Sequence, residues 1–306
     1  MVEYENLINL QLMIFVLTGV GYILRKLNII SADSRAGLTN LVIDVVLPCN
    51  IIYSFMIKLT HKVIMAGLEI LVISIIIQIM CYFLGYVLYK KTSPEQEKVL
   101  KYGTICSNAG FLGNPLVEGI YGSMGLMYAS IYLIPQRICM WSAGVSCFTG
   151  AKGKNVVRKV LTHPCIVAVM IGLVIMGFQI QLPDFAESTI KTISGCTTTL
   201  SMIVIGGILA EIDIKTVISK LNIYYCIIRL VIMPGLVLAG CALFKVDPLV
   251  TAVSTVLAGM PAGSTTAILA AKYNCDEKFA VRIVFLSTVL SLITIPILCM
   301  IVEKVV

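Results

Sequence analysis

Charge is what this 306-residue chain has least of. Asp, Glu, Lys and Arg make up 13% of it, where a soluble domain carries about 25%. It has one Trp and two His, and no polar stretch long enough for a separate soluble domain. The paired Cys and His spacing of a zinc site is missing. So are H-E-x-x-H and any evident nucleophile–base pair. These absences argue against an enzyme, and no catalytic residue, metal or cofactor is expected. The first 24 residues hold Glu3 and Glu5 but no Lys or Arg, the wrong sign for a cleaved leader. The run from Leu7 to Leu24 reads instead as a retained first helix.

What fills the chain is apolar. Hydrophobic residues are 58% of it, and the mean hydropathy is +0.98. Ten apolar segments are legible, at about 6–24, 36–57, 63–89, 97–121, 124–149, 164–181, 188–210, 218–243, 249–271 and 279–302. Each is near the roughly 20 residues that a spanning helix needs. The fold class expected is an all-α polytopic membrane protein of ten transmembrane helices. With the N-terminus outside, 16 of the 23 Lys and Arg residues fall on cytoplasmic connections and 5 on the other side. That bias obeys the positive-inside rule, places both termini on the extracytoplasmic side and explains the net charge of +7 without nucleic acid. The eleven cysteines lie mostly in apolar segments and read as small buried hydrophobes with free thiols.

Two segments are built to be interrupted. In the fourth, Gly110, Gly113 and Pro115 weaken the helix. In the ninth, Gly259, Pro261 and Gly263 do the same. Proline removes a backbone hydrogen bond and clashes with the preceding turn. Backbone freed in this way at membrane depth survives only when buried in protein or lining a wet cavity. Placed in the fourth segment of each half, the breaks suggest a first repeat over 1–150 and an inverted second repeat over 160–306, an architecture common among alternating-access transporters. Plain proline kinks are the alternative.

The residues around the breaks resemble a known family. Asn108-Ala109-Gly110-Phe111-Leu112-Gly113-Asn114-Pro115, followed by Tyr121-Gly122, is similar to the N-x-G-F-x-G-x-P…G signature of the auxin efflux carrier family. Leu38 through Pro48 resembles that family's second helix. Met260-Pro261-Ala262, Ala270 through Asp276 and Leu286 through Pro296 resemble its C-terminal pattern. The resemblance implies two inverted five-helix repeats with broken fourth and ninth helices crossing near the bilayer centre. Scaffold helices at about 6–57 and 164–210, usually dimeric, would hold transport helices at about 63–149 and 218–302, which move like an elevator. It further implies a plasma-membrane carrier of small organic anions, either auxin or malate- and malonate-type carboxylates. The short connection at about 150–163 lacks the long hydrophilic loop of many plant members and favours a compact, bacterial-type carrier.

Half-helices starting near Pro115 and Pro261 would aim free N–H groups at an anion. The residues expected at the substrate are Asn108, Gly110, Asn114, Pro115, Pro261, Ala262, Gly263 and Ser264. For Asn108 the alternative is that it satisfies freed backbone groups, and for Asn114 that it caps the helix before Pro115. Charged and polar groups at depth are the candidates for support or for coupling to H⁺ or Na⁺: Glu69, Glu118, Gln136, Arg137, Asp44 and Arg229. Two readings stay open for Glu118, proton exchange or an ion pair with Arg137. Arg229 could pair with Asp44 or attract the substrate. The Gly206-Gly207 pair reads as a close helix contact. A second class of function is a non-transporting membrane sensor of a metabolite or sterol. It would need a relay domain or tail, which the sequence to Val306 does not contain.

Overall fold

The computed structural model describes residues 4–58, 60–140, 144, 147–148, 162, 164–210, 217–263, 265–273 and 275–305. In chain order the helices are α1 (Tyr4–Lys26), α2 (Ala32–Leu41), α3 (Leu47–Ser54), α4 (His61–Leu88), α5 (Pro94–Ile105), α6 (Asn114–Cys139), α7 (Pro164–Phe178), α8 (Asp184–Ser194), α9 (Thr197–Leu209), α10 (Lys220–Ile227), α11 (Met233–Leu243), α12 (Pro248–Ala258), α13 (Thr265–Lys272) and α14 (Glu277–Val305). Helices fall in every one of the ten expected segments. Among the described residues four stretches are long and apolar enough to cross a membrane by themselves: Asp33–Ser54, His61–Leu88, Lys220–Leu243 and Glu277–Val305.

Proline shapes several of these helices in one recurring way. Widened π turns occupy Val42–Val46, Ala109–Gly113 and Ile228–Ile232. Each is followed two residues later by a proline: Pro48, Pro115 and Pro234. A proline ring collides with the carbonyl four residues back, and a π turn opens the helix at that point. The chain therefore continues through these prolines instead of stopping at them. α6 is interrupted elsewhere, at Gly122, where φ is 66° and ψ is −163°. That kink falls between the expected fourth and fifth segments.

The chain forms two compact units. The first comprises Met1–Gly67, Asn114–Ile131 and Leu161–Glu211. Within it α1 lies against α9, and α3 packs on α7 and α8. The α1–α9 contact is backbone to backbone. A Cβ on Gly21 would strike the main chain of Ile203, and one on Gly206 would strike Thr18 O and Tyr22 N. The expected role of Gly206 as a close-contact residue is thus seen directly. Gly207 faces the Arg35 side chain. The seventh segment differs from the single run expected over 188–210. It starts at Asp184 and is broken at Gly195-Cys196 into α8 and α9.

The second unit comprises Leu68–Gly113, Tyr132–Val160 and Ile212–Val306. Its interior holds four fully buried tyrosines, Tyr89, Tyr102, Tyr132 and Tyr225. Their hydroxyls need partners in an apolar setting. Tyr225 Oη donates to Gly103 O at 2.7 Å, Tyr89 Oη lies 3.0 Å from Thr104 Oγ1, and Tyr102 Oη donates to Thr265 Oγ1 at 3.2 Å. Tyr102, Gly103 and Thr104 are all in the last turn of α5, where the helix stops.

Candidate functional site

α5 ends at Ile105, and Cys106 turns to an extended conformation with φ −113° and ψ 97°. The chain resumes at Ala109, in the π turn that leads into α6. Asn108 O receives Leu112 N at 3.0 Å and Gly113 N at 3.3 Å. The break is therefore at Cys106-Ser107-Asn108, not at Pro115. The expectation of a half-helix starting near Pro115 is corrected, because the π turn relieves the proline clash. Asn114 does not cap a helix end. It is fully buried, and neither its Oδ1 nor its Nδ2 has a hydrogen-bond partner. In the second broken segment α12 ends at Ala258, and Met260 through Gly263 run without helix until α13 begins at Thr265. Pro261 lies inside that run and starts no helix. Ser264 lies outside the described residues.

The two breaks meet as a pair of short antiparallel strands reduced to one bridge, Ser107 to Ala262. Asn108 N donates to Pro261 O at 2.8 Å, and Gly263 N donates to Cys106 O at 3.0 Å. Side chains satisfy the remaining backbone groups. Arg229, on the π turn between α10 and α11 and only 3% exposed, donates through Nε to Met260 O at 2.9 Å and through Nη1 to Thr104 O at 3.3 Å. One guanidinium thus holds a carbonyl at the end of α5 and one in the second break. Ser287 Oγ accepts from Ala262 N at 3.2 Å. Gln136 Nε2 donates to Ser107 O at 2.8 Å, while Ser107 Oγ donates to Gln136 Oε1 at 3.0 Å. Buried main-chain polar groups need such partners.

What is left over points in one direction. The first N–H groups of the restarted helix, on Ala109, Gly110 and Phe111, have no intrahelical acceptor and no other acceptor among the described residues. The Asn108 side chain is 7% exposed and makes no hydrogen bond to a described residue. Arg137, also 7% exposed, has no partner for Nη1. Its Nη2 lies 3.7 Å from where a Cβ on Gly110 would stand. Hydroxyls of Ser254, Thr255 and Thr266 are buried in the same unit without partners. Among these groups Arg137 carries a full positive charge.

Glu69 is half-buried on α4 in the second unit. Asp44 is exposed on the first π turn. Pro115 and Glu118 belong to the first unit, where Glu118 Oε2 accepts from Asn50 Nδ2 at 3.0 Å. Sequence reading did not anticipate Ser107, Tyr225, Asn50 or Ser194. Polar residues in otherwise apolar helices were the available signal. Among the described residues no group of three or more His, Cys, Asp or Glu is arranged to hold a metal ion.

A family model described as membrane transport protein matches residues 7–159 and 148–299. An uncharacterized transporter of Methanothermobacter thermautotrophicus is 25% identical over 296 residues, which span 93% of this chain and 95% of that protein. An uncharacterized transporter of Methanocaldococcus jannaschii is 24% identical over the same length, with the same shares covered. With a family match over most of its length, the chain belongs to the membrane transport protein family, that of the auxin efflux carriers.

Proposed function

We propose that this protein is a secondary carrier of small organic anions in the plasma membrane, working by elevator-type alternating access. The observation that carries this reading is Arg137: a buried guanidinium with an unpartnered nitrogen, beside Gly110 at the crossover. An uncompensated charge in a low-dielectric site is costly, and a carboxylate is its natural complement. The free N–H groups of Ala109 to Phe111 add the positive end of a helix. Asn108 supplies an unspent amide. In the second broken helix Ser254, Thr255 and Thr266 supply hydroxyls for the polar part of the anion. The ten-helix inverted repeat, the dimer and the extracytoplasmic termini belong to the same proposal. So does a scaffold drawn from 6–57 and 164–210. Its support is that both stretches fall in the first compact unit, although 114–131 joins them there.

Uptake by proteoliposomes of labelled malate, malonate, succinate and indole-3-acetate tests this reading, with and without a pH gradient. Saturable uptake of at least one anion is expected. It should fall at least tenfold in Arg137→Gln and Asn108→Ala, with the folded fraction unchanged. Absence of uptake of every anion by folded protein, together with transport of a cation or neutral solute, would overturn the proposal.

A further inference from the structure

The first unit contains a second polar cluster, and its charge has the opposite sign. Asn50 on α3 is fully buried. Both hydrogens of its amide are spent, one on Glu118 Oε2 at 3.0 Å and one on Ser194 Oγ at 2.9 Å. Its Oδ1 is buried with no donor. Ser194 Oγ is used as an acceptor, and its own proton has no acceptor among the described residues. Glu118 has one described donor, although a carboxylate offers about four lone-pair sites. One turn earlier on the same face of α6 is Asn114, wholly buried with both polar atoms unpartnered.

Among the described residues no cation pairs with this carboxylate. The ion pair found among the described residues is Lys101 with Glu97, in the other unit. Lys191, one turn before Ser194, is exposed. Glu118 is the charged member of this cluster, which also holds the donor-less Oδ1 atoms of Asn50 and Asn114, and a carboxylate at membrane depth calls for a positive charge. A proton would supply one donor to one oxygen. A metal cation serves several oxygens at once. One carboxylate among neutral oxygens matches a single positive charge, whereas calcium takes six to eight oxygens, several from carboxylates.

We infer that Glu118, Asn50 and Ser194, with Asn114 at the margin, form a binding site for a monovalent metal cation of sodium size. The amide of Asn50 is the adjustable part. Turning it over would bring Oδ1 to face Glu118 and Ser194, an arrangement that repels the carboxylate unless a cation lies between them. Binding would tie α3, α6 and α8 together within the first unit, independently of any substrate in the second.

The test is thermal unfolding of the purified full-length protein in detergent. NaCl is titrated against choline chloride at constant ionic strength, with a parallel KCl series and two pH values. Because a ligand bound only by the folded state stabilises it by mass action, the midpoint should rise saturably with NaCl and not with choline. Glu118→Gln should abolish the rise while keeping an acceptor for Asn50. Ser194→Ala should shift half-saturation to several-fold higher NaCl, and it carries the test if the Glu118 variant does not fold. A flat NaCl response would overturn the inference, as would one equal in KCl or unchanged in Glu118→Gln. A midpoint that follows pH alone would assign the site to a proton and overturn it too. The readout involves no anion, so its outcome is separate from that of the uptake experiment.

Discussion

The backbone N–H of Asn108 donates to the carbonyl of Pro261 across 2.8 Å, so each interrupted helix supplies a partner that the other has lost. The reciprocal bond, Gly263 N to Cys106 O at 3.0 Å, closes the pair. Two breaks that would each be expensive in hydrocarbon become one hydrogen-bonded unit. The N–H groups of Ala109, Gly110 and Phe111 are left without an acceptor among the described residues.

Arg229 should be the residue on which this pairing most depends. It holds Met260 O and Thr104 O, and its loss orphans both. Each orphaned carbonyl costs about 1–3 kcal/mol. Arg229→Leu is expected to lower the thermal midpoint strongly, followed with a thiol-reactive dye that reaches the buried Cys106 and Cys226 only on unfolding. Arg229→Lys should fall between, because an ammonium lacks the fork that spans two acceptors. A wild-type midpoint in the Leu variant would remove the clamp from this account.

Ser107 and Gln136 exchange two hydrogen bonds, which predicts strong coupling. Ser107→Ala should cost about 1 kcal/mol, since only the hydroxyl bond is lost. Gln136→Leu should cost more, because Ser107 O is then left without its donor. A double-mutant cycle should show a coupling of about 0.5 kcal/mol or more. Additive effects would mean that the two side chains act independently.

How much of this was legible beforehand varied with the kind of signal. Apolar length located helices in all ten segments, because burial in lipid is recorded directly in composition. Gly206 announced a close helix contact, and Asn108, Gly110 and Arg137 came together as a group around one break. Proline misled by position. Pro115 and Pro261 marked broken segments correctly, but neither starts a half-helix, since a π turn absorbs the first and the second lies within the irregular run. Arg229 was legible as a buried charge but not as a clamp on two backbone carbonyls. Its acceptors are main-chain atoms, and every residue has those. The Asn50–Glu118–Ser194 cluster was invisible for a related reason: its members are 68 and 144 residues apart, and no local pattern links them.

Gly122 offers a test of backbone strain without packing. Its φ of 66° with ψ of −163° is a conformation that essentially only glycine adopts. A Cβ there would meet nothing within 4 Å. Gly122→Ala should therefore destabilise by about 1–3 kcal/mol from the backbone alone, with helix content by circular dichroism unchanged. A neutral result would mean that the kink relaxes at no cost.

Gly206 and Gly19 make an opposite pair. Gly206→Val must push α9 away from Thr18 and Tyr22 of α1. Overpacking of this kind costs about 1–3 kcal/mol. Gly19, on α1 itself, has nothing within 4 Å of its Cβ position, so Gly19→Ala should be neutral, or stabilising by up to about 1 kcal/mol through helix propensity. Equal melting of the two variants would contradict the close α1–α9 contact.

Cys275 tests the orientation. It lies in the turn between α13 and α14, half-buried, and burial pushes its thiol above the usual value. The thiolate is the reactive form, so maleimide labelling should be slow near neutrality and quicken as pH rises. In the orientation proposed from the charge bias of the connections, this turn faces the cytoplasm. A variant retaining Cys275 as its single cysteine should resist a membrane-impermeant maleimide in intact cells and react once the membrane is opened. At matched pH the ratio of the two rates reports sidedness, because the raised thiol value slows both equally. Ready labelling in intact cells would invert the topology and move both termini to the cytoplasm.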